Sequence, residues 1–69
     1  MEKTAIKIGS STLAMRACEI VRNSGMECEL RKLSDSSGKY GCLYAIYVDS
    51  ENSWRAESMI RSAGIMVLP

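Results

Sequence analysis

The chain has 69 residues, of which 46% are hydrophobic and 25% are charged, and its formal net charge is +1. A chain this short forms a single domain over residues 1–69, and ordering it costs on the order of 100 kcal/mol, so most apolar residues must be buried. It has no histidine, which excludes Ser-His and Cys-His catalysis and histidine-containing metal sites. The balanced charge gives no support for a nucleic-acid or membrane partner.

The N-terminal segment and the cysteines predict a cytoplasmic protein. Met1-Glu2-Lys3 runs directly into a strand-like segment, so we expect neither a signal peptide nor a membrane-spanning stretch. The three cysteines are an odd number without a closely spaced pair, which argues against a disulfide framework and against a zinc site. We therefore expect a domain that uses no metal and no cofactor.

The first quarter of the chain predicts a strand followed by a helix. Residues 4–8 alternate apolar and polar, which is typical of a short strand. Ser10 or Ser11 suits the N-cap of a helix over residues 13–24, and Gly25 stands where a C-terminal cap is expected. The side chains expected in the core are Ile6 and Ile8 of the strand and Ala14, Ala17, Cys18 and Val21 of the helix.

Two further strands are predicted on either side of a polar loop. Residues 26–31 alternate cleanly, which places Met26, Cys28 and Leu30 inward. Residues 34–38 form a loop by composition. Residues 42–48 follow and are apolar on both faces, so this strand should be the central one of a sheet.

The last third of the chain predicts a helix and a final strand. Asp49 or Ser50 caps the helix, which runs to about Ala63, and Gly64 ends it before a strand over residues 65–68. The expected buried face of the helix consists of Ala56, Met59, Ile60 and Ala63.

The resulting order βαββαβ predicts an α+β, two-layer ferredoxin-like fold. Its four-stranded antiparallel sheet would carry both helices on one face. Right-handed crossovers would place the first and third strands side by side in the centre.

This topology predicts the surroundings of Cys42. The first helix begins at the end of the sheet where the third strand begins, so Cys42 should lie near Ser11 and Thr12 at the helix N-terminus. The positive end of the helix dipole lowers the pKa of a cysteine there, and Lys39 would add to the effect. Gly41 leaves the backbone room for a group to approach the sulfur. Cys18 and Cys28, in contrast, are expected to pack in the core.

These residues also resemble a protein family. Ser-Thr-Leu-Ala-Met at 11–15, Ser-Ser-Gly at 36–38 and Cys-Leu-Tyr-Ala-Ile at 42–46 are similar to segments of small bacterial selenium/sulfur carrier-like proteins, a likeness that spans residues 10–65. Two features depart from that pattern: Leu43 stands where the family has glycine, and residues 39–41 look inserted. The resemblance implies a non-enzymatic carrier that holds a persulfide or selenide equivalent on Cys42. Donor and acceptor proteins would load and unload it.

An alternative is an interaction or regulatory module without chemistry. If Tyr44, Ile46 and Val48 face the helices, the other side of the strand carries an apolar patch suited to homodimerisation, with Leu43 and Tyr47 as interface residues. Trp54 lies opposite the apolar face of its helix, so it is either an exposed interface anchor or folded over the helix start.

An RNA-recognition module shares the predicted element order. It needs aromatic side chains on the sheet and a basic surface, whereas this chain has no Phe and a net charge of only +1. We therefore expect no nucleic-acid partner.

Overall fold

The computed structural model describes residues 2–33 and 43–68. The elements are β1 (Lys3–Ile8), α1 (Ser11–Asn23), β2 (Glu29–Leu33), β3 (Leu43–Asp49), a 3₁₀ turn (Ser50–Asn52) and α2 (Ser53–Ser62). The strands form an antiparallel sheet in the order β1-β3-β2. Both helices contribute to one core with one face of this sheet, so the protein is a small α+β fold.

Helix α1 forms as its sequence predicts. Its N-cap is Ser10, whose Oγ accepts a hydrogen bond from the backbone N–H of Leu13 at 3.4 Å. Gly25 follows the helix with a φ of +93°, a left-handed conformation that favours glycine. The predicted apolar face is confirmed, because its four residues are all buried: Ala14, Ala17, Cys18 and Val21.

Strand β3 is the middle strand, as its apolar sequence predicts. Ile46 lies opposite Ile6 of β1 on one side and Leu30 of β2 on the other. Ile46 and Val48 point into the core under the helices, and both are fully buried. The alternating register therefore places Leu43, Ala45 and Tyr47 on the face of the sheet opposite the helices.

The predicted four-stranded sheet is wrong: the sheet has three strands, and residues 65–68 make only one isolated bridge, between Lys7 and Leu68. The Leu68 N–H donates to the Lys7 carbonyl at 2.9 Å. Ile65 explains the difference, because its N–H bonds to the Ile60 carbonyl at the end of α2 and its side chain is buried in the core. The segment is thus anchored to α2 at its start and reaches β1 only at its end.

The second strand begins later than predicted, at Glu29 rather than at residue 26. Arg22 accounts for this shift, because its Nε and Nη2 donate to the Cys28 carbonyl at 3.0 and 2.8 Å. The Arg22 side chain thus occupies the Cys28 carbonyl, which would otherwise be free to accept a backbone hydrogen bond from a neighbouring strand. The predicted alternation is still confirmed, since Cys28 is buried while Met26 and Leu30 pack against the core.

The second helix also begins later than predicted. Asp49 does not cap it, because the Asp49 carboxylate bonds to Lys3 Nζ at 2.8 Å and a 3₁₀ turn precedes α2. Ala56 and Ile60 are fully buried as expected. Ala63 is exposed, contrary to prediction, because it is the C-cap residue beyond the last turn. In the part of the chain that the structure describes, no helix has the length and apolar character to cross a membrane.

Substitutions at Ile46 test the position of β3. Ile46→Val should lower the free energy of unfolding by about 1 kcal/mol, and Ile46→Ala by between about 2 and 5 kcal/mol, because each leaves a progressively larger cavity. Urea unfolding followed by circular dichroism measures both values. Met66 is 73% exposed and provides the control, since Met66→Ala should change stability by less than about 0.5 kcal/mol. Equal losses at positions 46 and 66 would contradict the described core.

Candidate functional site

Two of the three cysteines lie together in the core. Cys18 is on the buried face of α1, Cys28 immediately precedes β2, and both belong to the same cluster of buried side chains. Burial raises the pKa of the Cys28 thiol from its usual 9.0 to about 12, and a hydrogen bond with the neighbouring Cys18 acts in the same direction. Arg22 opposes this shift only in part. Cys28 is therefore protonated at neutral pH and is a poor nucleophile.

Arg22 links the buried thiols to the surface. Its guanidinium group holds the Cys28 carbonyl, and its side chain lines a shallow cavity of about 310 Å³ that also contains Lys3, Glu27 and Tyr47. The sequence analysis missed both this residue and the Cys18–Cys28 contact. Neither has a local signal in the sequence, because the contact joins a helix to a strand and depends on how they pack.

The predicted carrier residue lies outside the described residues. Cys42, Gly41 and Lys39 all belong to residues 34–42, so the structure gives no account of them. Leu43, the next residue, is the first of β3. Ser11 and Thr12 are exposed in the first turn of α1.

The described neighbours of Cys42 lie at one end of the sheet. Tyr44 pairs with Ile8, the last residue of β1, and α1 begins three positions after Ile8 along the chain. The start of β3 and the start of α1 are therefore at the same end of the fold. The position of Cys42 was predicted from this arrangement, in which α1 begins at the end of the sheet where β3 begins. The position of Cys42 itself stays a prediction.

The sheet face opposite the helices combines apolar and charged groups. Ala45 is fully buried there, while Leu43 and Tyr47 are half-buried. The Arg31 guanidinium carbon lies 5.6 Å from the centroid of the Tyr47 ring, a cation–π contact. Arg31 also pairs with Glu29 at 2.8 Å on this face. The apolar side chains Leu43, Ala45 and Tyr47 thus lie on this face, and the Arg31 guanidinium group covers part of the Tyr47 ring. Homodimerisation through this face stays a prediction.

Trp54 is on the surface. Its side chain lies in the first turn of α2 and is 71% exposed, which decides between the two positions predicted for it. Interfaces are enriched in tryptophan. Its role as an interface residue stays a prediction.

Comparison with known proteins identified no relative: no family model matches the chain, and no curated protein or solved structure matches it at a significant level. The resemblance to selenium/sulfur carrier-like proteins therefore stays a prediction from the residues that carry it.

The raised pKa of Cys28 predicts a pH dependence of stability. The unfolded chain releases this proton near pH 9.0 and the folded chain only near pH 12. The stability that the protonated thiol contributes is thus complete below pH 9 and is lost as the pH rises from 9 toward 12. We expect the midpoint temperature of thermal unfolding to decrease as the pH is raised from about 9 to about 10.

Cys28→Ala separates this effect from other titrations, because alanine fills part of the same space and carries no proton. Thermal unfolding at several pH values should show a flatter profile for this variant than for the wild type. A profile that is unchanged by the substitution would contradict the raised pKa.

Proposed function

We propose that this protein is a non-enzymatic carrier of sulfur, with Cys42 as the residue that bears the transferred atom. One observation supports Cys42 over the other two cysteines: Cys18 and Cys28 are buried in the core, and the pKa of Cys28 is raised to about 12. A carrier must offer a thiolate to a donor protein at neutral pH. Cys28 does not meet this requirement, and Cys18 is not accessible to a donor.

The topology next to Cys42 supports the same choice. Leu43 begins β3 at the end of the sheet where α1 begins, and the backbone N–H groups of the first helical turn are there to interact with negative charge. The α1 cap uses the Ser10 side chain for the Leu13 N–H, while Ser11 and Thr12 stay exposed. A thiolate near this helix terminus would be stabilised relative to the thiol.

The proposed chemistry is an exchange between persulfides and thiols. The Cys42 thiolate attacks the outer sulfur of a donor's persulfide, a new S–S bond forms at Cys42, and the donor leaves as a thiolate. An acceptor thiolate then attacks the outer sulfur on Cys42, and Cys42 leaves as a thiolate. Each step conserves the number of electrons and sulfur atoms, so the protein needs no metal and no redox cofactor for it. A selenium atom in the place of the outer sulfur would follow the same scheme.

Loading with a small-molecule persulfide tests the proposal. The native protein should gain one sulfur atom at Cys42, as measured by mass spectrometry after trapping with an alkylating reagent and digestion. Cys42→Ser should lose this product. Cys18→Ala and Cys28→Ala are the matched controls, and both should keep it as long as circular dichroism shows that they are folded.

The pH dependence of alkylation gives an independent measurement on the same samples. Cys42 should react with a midpoint below the pKa of an unperturbed thiol, whereas Cys18 and Cys28 should react only slowly in the folded protein. Equal rates at the three cysteines, or sulfur loading that survives Cys42→Ser, would contradict the carrier function.

A further inference from the structure

We propose that a second copy of this chain binds along the outer edge of β2, antiparallel to its own β2, and extends the two sheets into one. The two-fold axis of this dimer passes between the two copies of Leu30. The proposed contact is argued from described residues of β2 and α1 alone, so it does not rest on the carrier function.

The outer edge of β2, on the side away from β3, can form backbone hydrogen bonds with another strand. In residues 2–33 and 43–68, β2 pairs with β3 on one side and with no strand on the other. An edge strand presents a row of backbone N–H and C=O groups that another strand can satisfy. The opposite edge of the sheet is different, because Leu68 already donates a backbone hydrogen bond to Lys7 of β1.

The charges along β2 favour a second copy in one register. With the axis at Leu30, Glu29 of each copy lies opposite Arg31 of the other, so the dimer has two cross-strand pairs of opposite charge. The two side chains lie on the same face and are 59% and 62% exposed. They already pair with each other at 2.8 Å within one chain, so the dimer would add a cross-strand partner to each. A register centred on Arg31 would instead place two guanidinium groups opposite each other, which is destabilising.

The other side of β2 carries a partly apolar groove that the second copy would cover. The groove has a volume of about 360 Å³ and lies between α1 and β2. Its apolar lining residues are Met15, Cys18 and Leu30, and its polar ones are Glu19, Arg22 and Asn23. Met15 is 55% exposed at its rim. In the proposed register the two copies of Leu30 face each other beside this groove, so each chain contributes apolar surface to the other. The contact is isologous and closes on itself, as a two-fold dimer requires.

The short edge limits the affinity. Strand β2 has five residues and is thus only about 17 Å long, which gives an interface well below the standard ~800 Å² per partner. We expect a dissociation constant in the micromolar range or weaker, so sedimentation equilibrium should cover protein concentrations from about 10 μM to 1 mM.

Charge reversal tests the register. Glu29→Arg and Arg31→Glu should each weaken self-association by about tenfold or more, because each places like charges opposite each other twice. An equimolar mixture of the two variants should recover a dimer, since every Arg then faces a Glu. Recovery in the mixture also shows that neither variant failed through misfolding.

The exposed ion pair between Glu57 and Arg61 on α2 provides the matched control. Glu57→Arg and Arg61→Glu change the net charge by the same amounts as the β2 variants and also break a pair within one chain. Each should self-associate as the wild type does, and their mixture should show no additional dimer.

Three results would overturn the proposal. The first is a wild-type protein that stays monomeric over the whole concentration range. The second is a Glu29→Arg variant that associates as tightly as the wild type, because the copies then meet in another register or through another face. The third is a mixture of β2 variants that forms no more dimer than the mixture of α2 variants.

Discussion

The burial of β3 is the constraint on which the rest of the structure depends. Ile46 and Val48 are fully buried under the helices and Ala45 is fully buried on the opposite face, so this strand needs cover on both faces and a partner on both edges. Strands β1 and β2 supply the edges in a register that pairs Ile6, Ile46 and Leu30 across the sheet. Among the described residues, two helices cover one face, and side chains of the sheet itself, such as Arg31 over Tyr47, cover part of the other.

The same core determines which cysteine is available for chemistry. A small domain must bury most of its apolar residues to offset conformational entropy, and Cys18 and Cys28 take part in that burial. Desolvation of a thiolate then raises the pKa of Cys28, which protects it from alkylation and oxidation. A chain with three cysteines is thereby reduced to one candidate for thiol transfer, and the proposed function depends on this difference in environment.

The outer edge of β2 shows how charge can direct association without preventing it. Arg31 and Lys32 protect an edge strand from indefinite pairing, because positive charges opposite each other repel. Glu29 changes this result in the register centred on Leu30, in which each Arg31 lies opposite a Glu29 of the other copy. The proposed carrier function would benefit from such selectivity, since an edge that paired with arbitrary strands would compete with the binding of donor and acceptor proteins.

The sequence alone determined the local elements, because their signals are local: the 3.6-residue period of Ala14, Ala17, Cys18 and Val21, a serine cap at position 10 or 11, the glycine at position 25 that ends the helix, and the two-sided apolar run of β3. It also predicted Cys18 and Cys28 as core residues. Only the tertiary structure decided which face of β3 meets the helices, since both faces are apolar. Packing also reduced the fourth strand to one bridge by anchoring Ile65 to α2, delayed β2 through Arg22, and brought Cys18 against Cys28. These features depend on contacts between residues that are distant in the chain, or on two groups that compete for the same backbone hydrogen bond. A local sequence pattern cannot predict either.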